Sequence, residues 1–305
     1  MTRVLPFKLV YHDGYDLQFG SHVFPSIKYK LIRRKLLEEE IARPEDFLTP
    51  ELATFAQMTL VHTPDWVSRL DAGRLSYHEI VQLETPYSRR MVEGFFLAAG
   101  GTILAARESL KTRVGFNIGG GFHHAFPSHG EGFCAINDVA VAIRTLQREG
   151  LIERALVIDC DVHQGNGTAV VFTGDPTVFT VSLHQLNNYP TDKPPSTIDI
   201  HLRDGCGDEE YLEMLLGACD FACGGFQPDI VLYVAGSDPY VDDQLGGLSL
   251  SKDGLKRRDQ FVFETAVRHH IPITATLAGG YANRIEDTVE LHVNTVLAAR
   301  DALAS

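Results

Sequence analysis

Four short stretches of this 305-residue chain concentrate side chains able to do metal-assisted or acid–base chemistry. The densest is Asp159-Cys160-Asp161-Val162-His163-Gln164-Gly165-Asn166-Gly167. Its Asp-x-His pair offers one oxygen and one nitrogen ligand, a mix suited to zinc or another divalent transition ion. If an extended strand runs on through the stretch, residues 159, 161 and 163 share one face and project two carboxylates and an imidazole together. A strand-end turn with Asp capping the next helix explains one of these residues and not the set. The second stretch, Gly119-Gly120-Gly121-Phe122-His123-His124-Ala125, puts two adjacent histidines after glycines that allow a tight turn. In the third, Ala235-Gly236-Ser237-Asp238-Pro239, Asp238 can complete a three-ligand set with Asp161 and His163. Three protein ligands leave positions open for water and substrate, which marks a catalytic rather than a structural metal. The fourth, Ala278-Gly279-Gly280-Tyr281, can bring a phenol to the same mouth. Alone, a His pair, an Asp before Pro and a Gly-Gly-Tyr are ordinary loop features. Their convergence is the specific signal.

Convergence requires elements that deliver all four stretches to one place. Strand candidates are Lys8–Tyr11, Arg113–Ile118, Ala155–Asp159, Val178–Leu183, Ile230–Val234 and Ile273–Leu277. Several are continuously apolar, as strands covered on both faces must be. Helical spacing recurs between them, in Ile136, Val139, Ala140, Ile143 and Leu146, and in Leu212, Leu215, Leu216, Cys219 and Cys223. It recurs again in Ile285, Val289, Val293, Val296 and Leu297, and residues 25–42 and 88–110 also read as helix. Strand–helix alternation predicts a single-domain, three-layer α/β/α architecture over residues 1–305 with a mostly parallel central sheet. In such sheets ligands bind at the carboxyl ends of the strands. All four reactive stretches follow strand candidates.

Composition narrows the partners. Lys+Arg 27 against Asp+Glu 40 gives a net charge of −13, which argues against direct nucleic-acid binding and favours cationic partners. The apolar run 95–106 is broken by Gly100, Gly101 and Thr102 and is too short to span a membrane. The N-terminal residues lack the pattern of a secretion signal. The five cysteines form no CxxC pair, which fits reduced thiols and a cytoplasmic location. Cys219 and Cys223, i and i+4 on one helix, read as buried apolar packing.

The motifs GGGFHHA (119–125), GFCAIND (132–138), IDCDVHQGNG (158–167), SLH (182–184), AGSDPYVDDQLGGLSLS (235–251) and GGY (279–281) resemble those of zinc-dependent histone-deacetylase-type lysine deacylases of the arginase/deacetylase fold. The resemblance runs from Lys8 to about Leu297, with Val61-His62-Thr63 and Gly100-Gly101-Thr102 as further landmarks, and is closest to class IV and its bacterial relatives. It implies one Zn²⁺ held by Asp161, His163 and Asp238. It implies paired catalytic histidines His123 and His124, backed by Asp159 and Asn166, the latter standing where one branch has Asp. Tyr281 matches the residue that polarises the substrate carbonyl. Phe133 and Tyr189 match tunnel walls, and the Gly132 backbone matches the receiver of the lysine N–H. A structural K⁺ is implied at Asp159, Asp161, His163, Ser182 and Leu183, with a second near Phe172, Asp175 and Val178. Glu84 matches an acidic rim residue gripping the substrate backbone. The implied substrate is an acyl-lysine protein or peptide, and the class IV likeness raises long-chain deacylation.

The residues allow a physical account of that activity. A metal supplies nucleophile and carbonyl polarisation, Tyr281 donates where negative charge develops, and a histidine handles the proton. The carboxylate behind His123 makes it the more cationic of the pair and leaves His124 as the neutral base. An acetylpolyamine amidohydrolase shares all these core residues. A ureohydrolase needs a second metal, and position 165 is Gly where its chemistry calls for Asp. A catalytically inactive acyl-lysine-binding scaffold predicts loss of a ligand, the His pair or the Tyr, and none is lost.

Overall fold

The computed structural model describes residues 5–304. Its strands are β1 (Lys8–Val10), β2 (Phe47–Leu48), β3 (Val114–Asn117), β4 (Ala155–Asp159), β5 (Val178–Gln185), β6 (Ile198–Leu202), β7 (Ile230–Val234) and β8 (Ile273–Thr276). They form one parallel sheet in the order β2-β1-β3-β8-β7-β4-β5-β6. The helices are α1 (Lys28–Glu38), α2 (Phe55–Met58), α3 (Pro64–Asp71), α4 (Tyr77–Leu83), α5 (Arg89–Thr112), α6 (Asp138–Arg148), α7 (Asn166–Val171), α8 (Asp208–Phe226), α9 (Lys252–Arg268) and α10 (Ile285–Ala302). Strands β3, β4, β7 and β8 are buried at every position, so helices cover both faces of the sheet. One cluster packs α5 against α6, and another runs α1, α10, α9 and α8 in series.

Local chemistry sets the helix starts. Ser88, Asn137 and Ser251 each accept a backbone N–H three residues on and so begin α5, α6 and α9. Helix α8 lacks a side-chain cap and opens instead on Asp208, Glu209 and Glu210, charges favoured at a helix N-terminus.

The two strands that apolar patterning does not predict are the two edges. Strand β2 has only two residues. Strand β6, Ile-Asp-Ile-His-Leu, alternates and stays half-exposed, as an edge strand can. Two other expectations need correction. Leu216 does not share the buried face of α8 and is 43% exposed. Strand β4 does not continue past Asp159: residues 160–163 form a bent loop.

A buried ion pair braces that loop. Arg258 and Asp259 on α9 are each 1% exposed. Arg258 donates to the carbonyls of Gly236 (2.7 Å) and Cys160 (3.2 Å), and so clamps together the loops after β7 and β4. Its Nε donates to Asp259 at 2.8 Å, and Asp259 also accepts from Tyr233 and Thr295, both at 2.6 Å. Asp259→Ala would strand a buried guanidinium. The expected cost is about 3–5 kcal/mol, read as a lowered urea midpoint. A loss below ~1 kcal/mol, the range of exposed pairs, would show that the pair does not brace the loops.

Candidate active site

The loops after β3, β4, β7 and β8 meet at the carboxyl end of the sheet. Sheet order explains why, because these four strands are consecutive neighbours. The loop after β4 is shaped by its own carboxylates. Asp159 Oδ1 accepts the Asp161 N–H at 3.1 Å, and Asp161 Oδ1 accepts the His163 N–H at 3.0 Å. Each is an Asx-type bond to the backbone two residues on. The period-two pattern therefore encodes a self-bonded loop rather than an extended strand, and still gathers the side chains. Val162 N–H donates to Asp238 Oδ1 at 2.9 Å, tying the β4 and β7 loops together.

Asp161, His163 and Asp238 are buried, and one ligating atom from each lies within 4.8 Å of the others. Asp238 Oδ2 is buried and makes no hydrogen bond, with His163 Nδ1 standing 3.4 Å from it. Burial first, and then the neighbouring Asp161 charge, push the Asp238 carboxyl up to about 7. A carboxylate in that position wants a cation, so the donor set fits a divalent metal. Gly279 is needed here for close approach: a Cβ on it would lie 2.0 Å from Asp238 Oδ2 and 2.5 Å from Asp161 Oδ2.

The histidines stand beside this set. His123 Nδ1 lies 2.7 Å from Asp159 Oδ2, and His124 Nδ1 lies 2.7 Å from Asn166 Oδ1. Their Nε2 atoms are 3.1 Å apart. Burial alone would lower the pKa of His123, but the Asp159 and Asp161 charges outweigh it and raise it to about 9. Burial, then the charges of His123 and His163, hold His124 well below its ordinary value. The pair is thus split into one imidazolium and one neutral imidazole. The loop that carries them is pinned by Asp138, which accepts the Gly121 and Phe122 N–H groups at 3.0 and 2.8 Å and the Thr102 hydroxyl at 2.5 Å. His62 joins the next segment by accepting the Asn137 N–H at 3.0 Å.

Tyr281 is held by its backbone, whose N–H donates to Asp243 at 2.7 Å. Burial, then the Asp161 and Asp238 charges, push its phenol well above the usual value of 10, so it is a neutral donor. Beneath it, fully buried Lys28 donates to the Ala278 carbonyl at 2.6 Å. Burial lowers this amine to about 8 against the pull of Asp238, Asp161 and Asp243.

Two cavities meet at these residues. The outer one, about 170 Å³, is lined by Glu84, His124, Gly132, Phe133, His163, Asn188, Tyr189, Leu245 and Tyr281. The inner one is about 20 Å³ and lies among Tyr29, Phe122, the two histidines, Cys134, Asp161 and Tyr281. Phe133 and Tyr189 wall the passage, with the Tyr189 ring 4.9 Å from that of His124. Glu84 stands exposed at the rim in a left-handed conformation, φ 57°. Ser182 pairs with Asp159 in the sheet register, and its hydroxyl lies 2.9 Å from His184 Nδ1. Phe172, Asp175 and Val178 sit apart from these cavities, and the Asp175 carboxylate is engaged by Arg144 at 2.6 Å.

Sequence reasoning missed Glu131, whose carboxylate accepts from Asn166 at 2.5 Å and from Tyr189 at 2.8 Å. No spacing rule points to it, because its partners lie 35 and 58 residues away.

The sequence profile of the histone deacetylase domain matches residues 22–296. An uncharacterised protein of Picosynechococcus sp. is 40% identical, over 97% of this chain and 99% of that protein. Histone deacetylase 2 of Arabidopsis thaliana is 31% identical, over 92% of this chain and 77% of its own length. The crystal structure of the HDA15 HD domain superposes with a TM-score of 0.80 at 22% identity, covering 96% of this chain and 88% of that one, and shows the shared arginase/deacetylase fold.

Proposed function

The chain belongs to the histone deacetylase family, and from that premise we propose that it is a zinc-dependent amidohydrolase acting on N-ε-acyl-lysine in proteins or peptides. The observation that carries the reading is that Asp161 and His163, grouped with Asp238, line one narrow cavity together with the histidine pair and Tyr281. Zinc held by those three ligands would polarise the acyl carbonyl and acidify a water. The remaining work falls to the chain. Neutral His124 takes the proton of the attacking water and returns it to the departing lysine amine. His123, kept cationic by Asp159, and the Tyr281 hydroxyl face the oxygen on which negative charge develops. Phe133 and Tyr189 sheathe the aliphatic lysine stem, and the Gly132 backbone and Glu84 receive polar groups of the substrate.

Cavity size favours a short acyl group. The inner chamber, about 20 Å³, has room for little more than one water-sized group. That fits an acetyl methyl and opposes the long-chain preference raised by the class IV likeness. A ureohydrolase is disfavoured at position 165. A Cβ there would lie 2.4 Å from Asp159 Oδ2, so a second-metal carboxylate would displace the His123–Asp159 pair. We further propose that residues 1–305 act as one catalytic domain. A structural potassium is assigned to Asp159, Asp161, His163, Ser182 and Leu183, and a reducing cytoplasm suits the five free, buried cysteines.

The test is a panel of lysine peptides with acyl chains from acetyl to myristoyl, alongside acetylputrescine, with and without a chelator. Acetyl-lysine peptide should be cleaved fastest, chelation should abolish turnover, and purified protein should carry close to one divalent metal per chain. Preferential cleavage of acetylputrescine would move the assignment to a polyamine amidohydrolase. Two tightly bound metals would overturn the mononuclear reading.

A further inference from the structure

We infer that Glu131 is a positioning residue that sets the polarity of the Asn166 amide and, through it, the tautomer of His124. The inference rests on the assignment of His124 as the base. It begins from donor and acceptor counting. Both oxygens of Glu131 receive donors: Asn166 Nδ2 at 2.5 Å and the Tyr189 hydroxyl at 2.8 Å reach Oε1, and Gln82 Nε2 at 3.2 Å reaches Oε2. His129 Nε2 stands 3.5 Å from Oε2. The Glu131 backbone is fixed by reciprocal bonds with Cys134, at 3.1 and 2.9 Å.

An ionised carboxylate only accepts, so Asn166 can face it only with its NH₂. The amide oxygen must then point the other way, where it lies 2.7 Å from His124 Nδ1 and also accepts the Gly167 N–H at 3.0 Å. An oxygen cannot donate, so Nδ1 must carry the ring proton. The lone pair of a neutral His124 is therefore left on Nε2, which faces His123 and the reaction cavity. Asn166 is 2% exposed, so water has little access to substitute for either partner. The negative charge that a carboxylate at position 166 would bring is present here after all, one side chain further out. Tyr189 couples the same carboxylate to the tunnel wall.

Glu131→Gln removes the lock, because an amide can present either a donor or an acceptor to Asn166. In zinc-loaded protein this variant should lower kcat on an acetyl-lysine peptide by roughly 10-fold or more, the order of a lost charge-assisted hydrogen bond, with KM nearly unchanged. Nitrogen-15 NMR of the histidine rings should show wild-type His124 protonated at Nδ1 and the variant mixed between tautomers. Asn166→Asp alone would set two carboxylates where an amide and a carboxylate now lie 2.5 Å apart, and should also lose activity. Combining Glu131→Gln with Asn166→Asp restores an acceptor beside His124 and a donor behind it. The double variant should recover to within a few-fold of wild type, a strongly non-additive cycle. A Glu131→Gln enzyme with wild-type kcat and wild-type tautomer, or strictly additive losses in the double variant, overturns the inference. If wild-type protein cleaves no acyl-lysine peptide, the functional reading fails, and the ring spectra still decide the role of Glu131.

Discussion

Tyr281→Phe is expected to lower kcat by roughly 10²–10³-fold, the usual effect of removing one oxyanion donor, while metal content and inhibitor affinity stay close to wild type. The phenol lies beside the cavity that holds the histidines and Asp161, and burial and nearby carboxylates keep it protonated. It therefore donates a hydrogen bond throughout neutral pH without titrating. The ring makes its own contacts with Phe24 and Phe133, each with centroids 6.1 Å away, and phenylalanine preserves them. The backbone bond to Asp243 is also untouched. The loss should fall on kcat, because the donor matters most once charge has developed on the substrate oxygen. Steady-state kinetics with a hydroxamate titration separate the two effects. An unchanged kcat would remove Tyr281 from the chemistry.

Asp238→Asn should abolish both metal retention and turnover. One oxygen of this carboxylate holds the Val162 N–H, and the other makes no hydrogen bond, with the His163 ring nitrogen 3.4 Å away. An amide can keep the first bond through its carbonyl oxygen and offers only a weak ligand in place of the second. The companion effect distinguishes a ligand from a structural group. Without metal, burial and Asp161 disfavour the charge on Asp238, which is why its carboxyl is pushed up to about 7. Removing that charge leaves His163 with Asp161 Oδ1 at 3.0 Å, so the metal-free variant should stay folded and lose less stability than the zinc-loaded protein loses. Zinc should then stabilise wild type in thermal scans and leave the variant unmoved, since a ligand stabilises only the state that binds it. A variant that still binds one equivalent of zinc and turns over would falsify the ligand assignment.

The interior of the sheet was legible because its central strands are rich in apolar residues, several of them almost throughout. Ala155–Asp159 and Ile230–Val234 match observed β4 and β7 end for end. The edges were not, since β2 is two residues long and β6 alternates. Helices α3 and α9 carry good starts, Thr63-Pro64 and Ser251, but their apolar stripes are interrupted by charged residues. One such pair, Arg258 and Asp259, is buried rather than exposed because each completes the other and the surrounding loop carbonyls.

What the sequence determined by itself was local: which residue types stand after which strands, and so which chemistry can be assembled. Asp161, His163, Asp238, His123, His124 and Tyr281 are visible that way because parallel strands deliver their carboxyl ends to one edge. Distance was left to the tertiary structure. It turned the Asp159–His163 stretch into a loop held by its own carboxylates, and it left the inner cavity at about 20 Å³. It also brought Glu131 to Asn166. Hydrogen-bond polarity depends on atoms 2.5–3.0 Å apart, here contributed by residues tens of positions apart in the chain, and no pattern of residue types encodes which of them will meet.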